Sequence, residues 1–180
     1  MTTAQPVLYH VVCAASPALA AAGFVTEAQQ AGWDVCVITT ARAGGWLDLP
    51  VLAELTGHPV RTDYKRPGQP DVLPPPDAFA VVPATFNTIN KWAAGIADTL
   101  ALGLLTEALG LRLPIVAAPC LAAAQAAHPA YETSCRTLRG AGVQLLDRWS
   151  PRGPDQAGGW DTTDSERVLR RLGTPTAASG

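Results

Sequence analysis

Five short, mostly apolar runs recur along the chain, and segments of helical character separate most of them. They are residues 7–13 (VLYHVVC), 34–39 (DVCVIT), 78–82 (AFAVV), 114–118 (PIVAA) and 143–146 (VQLL). Successive side chains of a strand point to opposite faces. A strand that is apolar at consecutive positions must therefore be covered on both sides, which is the situation of a strand in a parallel sheet. Such strands alternating with helices predict an α/β fold, Rossmann-like (flavodoxin-like), in three layers around a central parallel sheet.

The intervening segments carry their own start and stop signals. Residues 17–31 read as an Ala-rich helix with Ser16 as N-cap, Pro17 as first helical residue and Gly32 as stop. Residues 48–55 read as a short helix capped by Asp48 and ended near Gly57. Residues 58–62 suggest a short additional strand. Pro67, Pro70, Pro74, Pro75 and Pro76 exclude helix from residues 63–77, which read as a loop or extended connector. Residues 88–95, 98–109 and 129–140 read as helices. Residues 1–149 are expected to form one domain. Residues 150–159, rich in Pro and Gly, read as a flexible loop, 165–172 as a short amphipathic helix and 174–180 as a frayed tail within a 150–180 segment.

Composition narrows the function. With 48% hydrophobic and 16% charged residues, the chain has material for a sizeable core. A net charge of -2 disfavours nucleic acid and polybasic membrane attachment. No cationic leader precedes the first apolar run, and no stretch is long enough to span a bilayer, so a cytoplasmic location is expected. Cys13, Cys36, Cys120 and Cys135 form no Cys-x-x-Cys pair. Each reads as a small buried hydrophobe, and no metal site is expected. His10, inside the first run, reads as a core histidine.

Ligands of parallel sheets bind beyond the carboxyl ends of the strands. After the first run come Ala14, Ala15 and Ser16, whose small size admits a ligand close to backbone N–H groups. The second run ends in Thr39 and Thr40, followed by Arg42: two hydroxyls and a guanidinium suited to an anion. A polar corner follows residues 78–82, with Thr85, Phe86, Asn87 and Thr88.

That corner, Pro-Ala-Thr-Phe-Asn-Thr at 83–88, together with Gly-Ile-Ala-Asp at 95–98, resembles the PASANT and NGIADNLL signatures of the flavoprotein superfamily of homo-oligomeric, FMN-containing cysteine decarboxylases. Phosphopantothenoylcysteine decarboxylase and the lantibiotic decarboxylases belong to it. Residues 38–43 resemble its VTTERA segment, and the run opening at Pro119 and ending at His128 and Pro129 resembles its PAMNTAMWEHP element. The resemblance spans residues 7–146. It implies FMN as cofactor, with Ala15, Ser16, Thr39, Thr40, Thr85, Phe86, Asn87, Thr88 and Cys120 around it. It also implies a catalytic contact from Asn87 and a homo-oligomer, trimer or dodecamer, to which residues 90–92 with Trp92 could contribute an interface.

The chain departs from the family in its reactive groups. The family's catalytic histidine falls near residues 69–71, where there is none; His58 lies upstream and His128 reads as a helix cap. Ala122, Gln125 and Ala126 replace the family's substrate clamp, and no cysteine follows Cys135. The resulting expectation is an FMN-binding flavoprotein, an oxidoreductase or divergent decarboxylase acting on a small molecule or peptide terminus. Two alternatives stand beside it: a flavin-binding sensor or carrier without chemistry, and a flavin prenyltransferase-like enzyme, which needs several basic residues together, whereas Arg42, Arg112 and Arg136 are scattered along the chain.

Overall fold

The computed structural model describes residues 5–147 and 162–175. Five parallel strands form the sheet in the order β2-β1-β3-β4-β5: β1 Val7–Val12, β2 Asp34–Thr39, β3 Ala78–Ala84, β4 Ile115–Pro119 and β5 Gln144–Leu145. β1 and β4 are buried at every position, as their unbroken apolar runs require.

The helices are α1 Ala21–Gln30, α2 Ala41–Gly44, α3 Leu49–Thr56, α4 Phe86–Ala93, α5 Leu100–Gly110, α6 Ala123–Ala126, α7 Pro129–Gly140 and α8 Thr162–Leu172. The strand order decides which face each covers. From β1 the chain steps outward to β2, then back across β1 to β3 and onward to β4 and β5. Parallel crossovers are right-handed, so the reversal in direction moves the connections to the other face. One face buries Phe24 of α1 together with Leu52 of α3, which precedes the segment that crosses over, and Val168 of α8, which follows β5. The other buries Trp92 of α4, Leu105 of α5 and Leu138 of α7.

Several local readings require correction. Ser16 is not an N-cap: Ser16–Ala20 is a 3-10 helix whose cap position is Ala15, and the α-helix proper begins at Ala21. Residues 58–62 form no strand beyond a single parallel bridge between Ile38 and Arg61. Pro83 does not close β3, which continues to Ala84; the Pro83 and Ala84 carbonyls accept from the N–H groups of Cys13 and Cys120. A proline lacks only the donor, and here its carbonyl carries the pairing. α4 starts two residues earlier than its periodicity suggests, because Thr85 is the cap that accepts from Thr88 N. The very short α2 and α6 left no periodic trace in the sequence.

Trp92 does not form an interface. It is 2% exposed, and its indole N–H donates to the Leu105 carbonyl at 3.2 Å. Its neighbours are engaged within the subunit as well: the Asn90 amide donates to Phe86 O and accepts from Ser134 Oγ, and Lys91 pairs with Asp98. Asp48 does cap α3, accepting from Val51 N, and Gly57 ends it at φ 71°, where only glycine is unstrained.

Within the crossover from β2 back to β3, residues 63–77 run across the second face as an extended strap, where a doubly wound fold ordinarily places a helix. α8 closes the first face. Residues 150–159, expected to be a loop, lie outside the described residues.

Candidate functional site

The strand order reverses between β1 and β3. The chain leaving β1 turns to one face and the chain leaving β3 to the other, so a cleft opens between their carboxyl ends. The structure has an open crevice of about 600 Å³ there, within the range usual for small-molecule sites. Ala14, Ala15 and Ser16 form one wall and Thr85, Phe86, Asn87 and Thr88 the opposite wall. Thr40 and Arg42 close one end, and Cys120, Leu121 and Gln125 the other.

Of the residues expected around a ligand, Ala15, Ser16, Thr40, Thr85, Phe86, Asn87, Thr88 and Cys120 thus meet in one place. Thr39 does not. Its side chain is fully buried, packs toward Gly44 and leaves its Oγ1 without a hydrogen bond. The period of two along β2 explains this: Thr39 shares the face of Val35 and Val37, and the neighbouring Thr40 is the residue that reaches the crevice. Leu121 gave no signal in the sequence, because an apolar residue after a strand looks like any other core residue. Gln125 was visible only as a departure from a motif.

Each polar side chain has a defined posture. Thr40 Oγ1 accepts from Ala43 N at 3.3 Å and Thr85 Oγ1 from Thr88 N at 3.4 Å. Thr88, 4% exposed, links Thr85 Oγ1 at 3.0 Å to Cys13 Sγ at 3.3 Å, forming a buried chain of polar groups under the crevice floor. Burial raises the Cys13 thiol pKa, outweighing hydrogen bonds from Thr88 and Thr85, so it stays a neutral thiol. At the start of α4 the N–H groups of Phe86 and Asn87 have no partner within the helix. The exposed Asn87 amide stands beside them. Phe86 is half-buried against His128, edge to face at 5.8 Å, and stacks on Tyr131 at 6.3 Å.

The donor set suits a ligand with an anionic end and a flat, partly apolar body. Hydroxyls of Ser16, Thr40 and Thr85, helix-start N–H groups and the Arg42 guanidinium fit the anion. Ala14, Ala15, Phe86 and Leu121 fit the apolar part, and Asn87 can donate and accept at its edge.

None of the three histidines lines this crevice. His10 is buried in the sheet, with Nε2–H donating to Val82 O at 2.9 Å and the ring against Phe24 at 4.4 Å. Burial depresses its pKa to about 4. His58 pairs with Asp34, the first residue of β2 and so at the amino ends of the strands. His128 Nδ1 accepts from Ala130 N and caps α7, as its position before Pro129 suggests. Of the three scattered arginines, only Arg42 reaches the crevice; Arg136 pairs with Glu132 on α7, and Arg112 sits in the turn after α5. All four cysteines are buried, and none is in a disulfide. Among the described residues no helix is long and apolar enough to cross a membrane.

Known proteins resemble this chain in sequence and in fold. The chain matches the Flavoprotein family over residues 5–163. A cysteine/cysteine sulfinic acid decarboxylase from an unknown prokaryotic organism is 34% identical over 102 residues, covering 53% of this chain and 28% of that protein. The coenzyme A biosynthesis bifunctional protein CoaBC of Bacillus subtilis (strain 168) is 32% identical over 133 residues, covering 71% of this chain and 32% of that protein. The chain therefore spans no more than 32% of the length of these two curated relatives. Among solved structures, the FMN-dependent cysteine decarboxylase SpaF superposes with a TM-score of 0.74 at 23% identity, covering 94% of this chain and 98% of that one. The cypemycin decarboxylase CypD gives 0.65 at 25% identity, with 79% and 82% covered.

Proposed function

The chain belongs to the Flavoprotein family, and from that premise we propose that its crevice binds FMN and serves flavin-dependent chemistry, as an oxidoreductase or divergent decarboxylase, on a small molecule or peptide terminus. The observation that carries the reading is the convergence of three chain reversals on one crevice. The turns after β1, β2 and β3 each bring a hydroxyl, in Ser16, Thr40 and Thr85, and the second adds Arg42. These groups would hold the phosphate and ribityl chain. Phe86 and Leu121 would bound the isoalloxazine ring, with Asn87 at its polar edge and at the reacting substrate. FMN, when bound, supplies the two-electron acceptor that oxidation or oxidative decarboxylation needs. The relatives named for decarboxylation of cysteine compounds support that reaction class. A homo-oligomer is part of the same proposal; Ile96, 43% exposed in an exposed loop, is apolar surface that a second copy would cover.

A second reading, flavin binding without turnover, is favoured by one observation: among the described residues no histidine or carboxylate of this chain lines the crevice. Among the described residues the subunit's own wall then offers neither of the usual acid–base groups, an imidazole or a carboxylate. The prenyltransferase-like reading finds no support, since of the scattered Arg42, Arg112 and Arg136 only Arg42 lines the crevice.

Purified protein is expected to carry flavin absorbance and to bind FMN stoichiometrically in calorimetry. Asn87→Ala is expected to weaken FMN binding about tenfold, the loss of one to two hydrogen bonds, while His10→Gln leaves it unchanged. Equal effects of the two substitutions would refute the site. Reduction of the bound flavin by thiol or substrate separates the catalytic reading from the carrier.

A further inference from the structure

A second cavity, of about 480 Å³, lies beneath the proline-rich strap. Its origin is physical. The right-handed crossover from β2 to β3 must pass over β1 on the second face, and five prolines forbid the helix that would fill that space. Two tyrosines hold the strap over the gap. Tyr64 Oη donates to Thr99 O at 3.1 Å, and Tyr9 Oη donates to Pro74 O at 2.8 Å. The first anchor depends on Gly103 of α5, where a Cβ would lie 2.1 Å from Tyr64 Oη.

Between the anchors the walls are apolar, with Ile38, Leu100 and Leu104 below and Val72 and Leu73 above. The charged groups are Arg61, Lys65, Asp71 and Glu107. Lys65 and Asp71 neutralise each other in an ion pair. The remaining two have no ion-pair partner among the described residues. Among them the Arg61 guanidinium donates to the Asp63 carbonyl at 3.0 Å, and the Glu107 carboxylate has no hydrogen bond. An apolar cleft with one unpaired cation on the sheet side and one unpaired anion on the helix side is complementary to a zwitterion with an apolar body.

We propose that the strap cavity is a second ligand site, separate from the crevice, for a small zwitterion carrying an aliphatic or aromatic side chain. Its carboxylate meets Arg61 and its ammonium meets Glu107. A free amino acid and a short peptide share this chemistry. The site shares no lining residue with the crevice, so it stands whether or not the crevice binds FMN.

Calorimetric titration of the full chain with leucine, phenylalanine and leucyl-leucine tests the proposal. At least one should bind, and preference for the single residues or for the dipeptide identifies the source. N-acetyl-leucine and leucinamide, each lacking one charge, should bind about tenfold more weakly, as should leucine to Arg61→Gln and Glu107→Gln; that is the loss expected of one charge-assisted contact. Gly103→Ala, which displaces Tyr64, should weaken binding while far-ultraviolet circular dichroism stays unchanged. Absence of binding by all three probes, or N-acetyl-leucine or leucinamide binding as tightly as leucine, would overturn it.

Discussion

His10 makes the stability of the sheet depend on acid in a way that can be worked out in advance. It sits in β1, fully buried, with Nε2–H donating to Val82 O and Nδ1 without a partner. Desolvation disfavours the imidazolium and, outweighing the Val82 hydrogen bond, lowers the pKa from 6.5 to about 4. Between those two values the unfolded chain binds a proton that the folded chain refuses. Stability therefore rises with pH across that window and is lost as pH falls from about 6.5 to about 4. At about 1.4 kcal/mol per pH unit, the gap amounts to ~3 kcal/mol, a large share of a typical domain's stability. The assay is urea unfolding at half-unit pH steps on the native chain and on His10→Gln. Carboxylates titrate in both, so the difference between the two curves isolates His10. That difference should grow by ~3 kcal/mol from pH 4 to pH 6.5 and be flat above. A difference that stays constant across the window would show that His10 is protonated, or reached by water, in the folded protein.

Two substitutions test other parts of the structure. Trp92→Ala should cost about 3–5 kcal/mol by opening a cavity between α4 and α5, with an unfolding midpoint that does not change with protein concentration; a concentration-dependent loss would restore Trp92 to an interface. Thr85→Val removes both the α4 cap and the hydroxyl link to Thr88 at nearly constant shape. It should cost about 1 kcal/mol in urea unfolding and lower FMN occupancy, measured by absorbance, and full occupancy would remove Thr85 from the phosphate cradle.

Much of this protein is written in local chemistry. The runs at 7–13 and 34–39 are apolar at positions that face both ways, so they could only be interior strands, and Asp34–Thr39 is found within those bounds. Asp48 and Gly57 bracket α3, and Pro129 and Gly140 bound α7, because caps and breakers act within a turn of the chain. The motif at 83–88 and the small residues at 14–16 located two walls of the crevice. Other features depend on distant partners that no local signal encodes. Thr39 and Thr40 are equal as letters, yet the pleat turns one into the core and the other to the crevice. Ser16 looks like a cap, but the chain takes a tight 3-10 turn through Pro17 and leaves Ala15 in the cap position. Trp92 suits an interface by residue type, and only its place between α4 and α5, with Leu105 O as acceptor, makes it core. The strap is legible as non-helical from its prolines. That it must cross β1, and so roof a cavity over Tyr9 and Leu104, depends on the strand order alone, because handedness acts on the path of the whole connection and not on any residue within it.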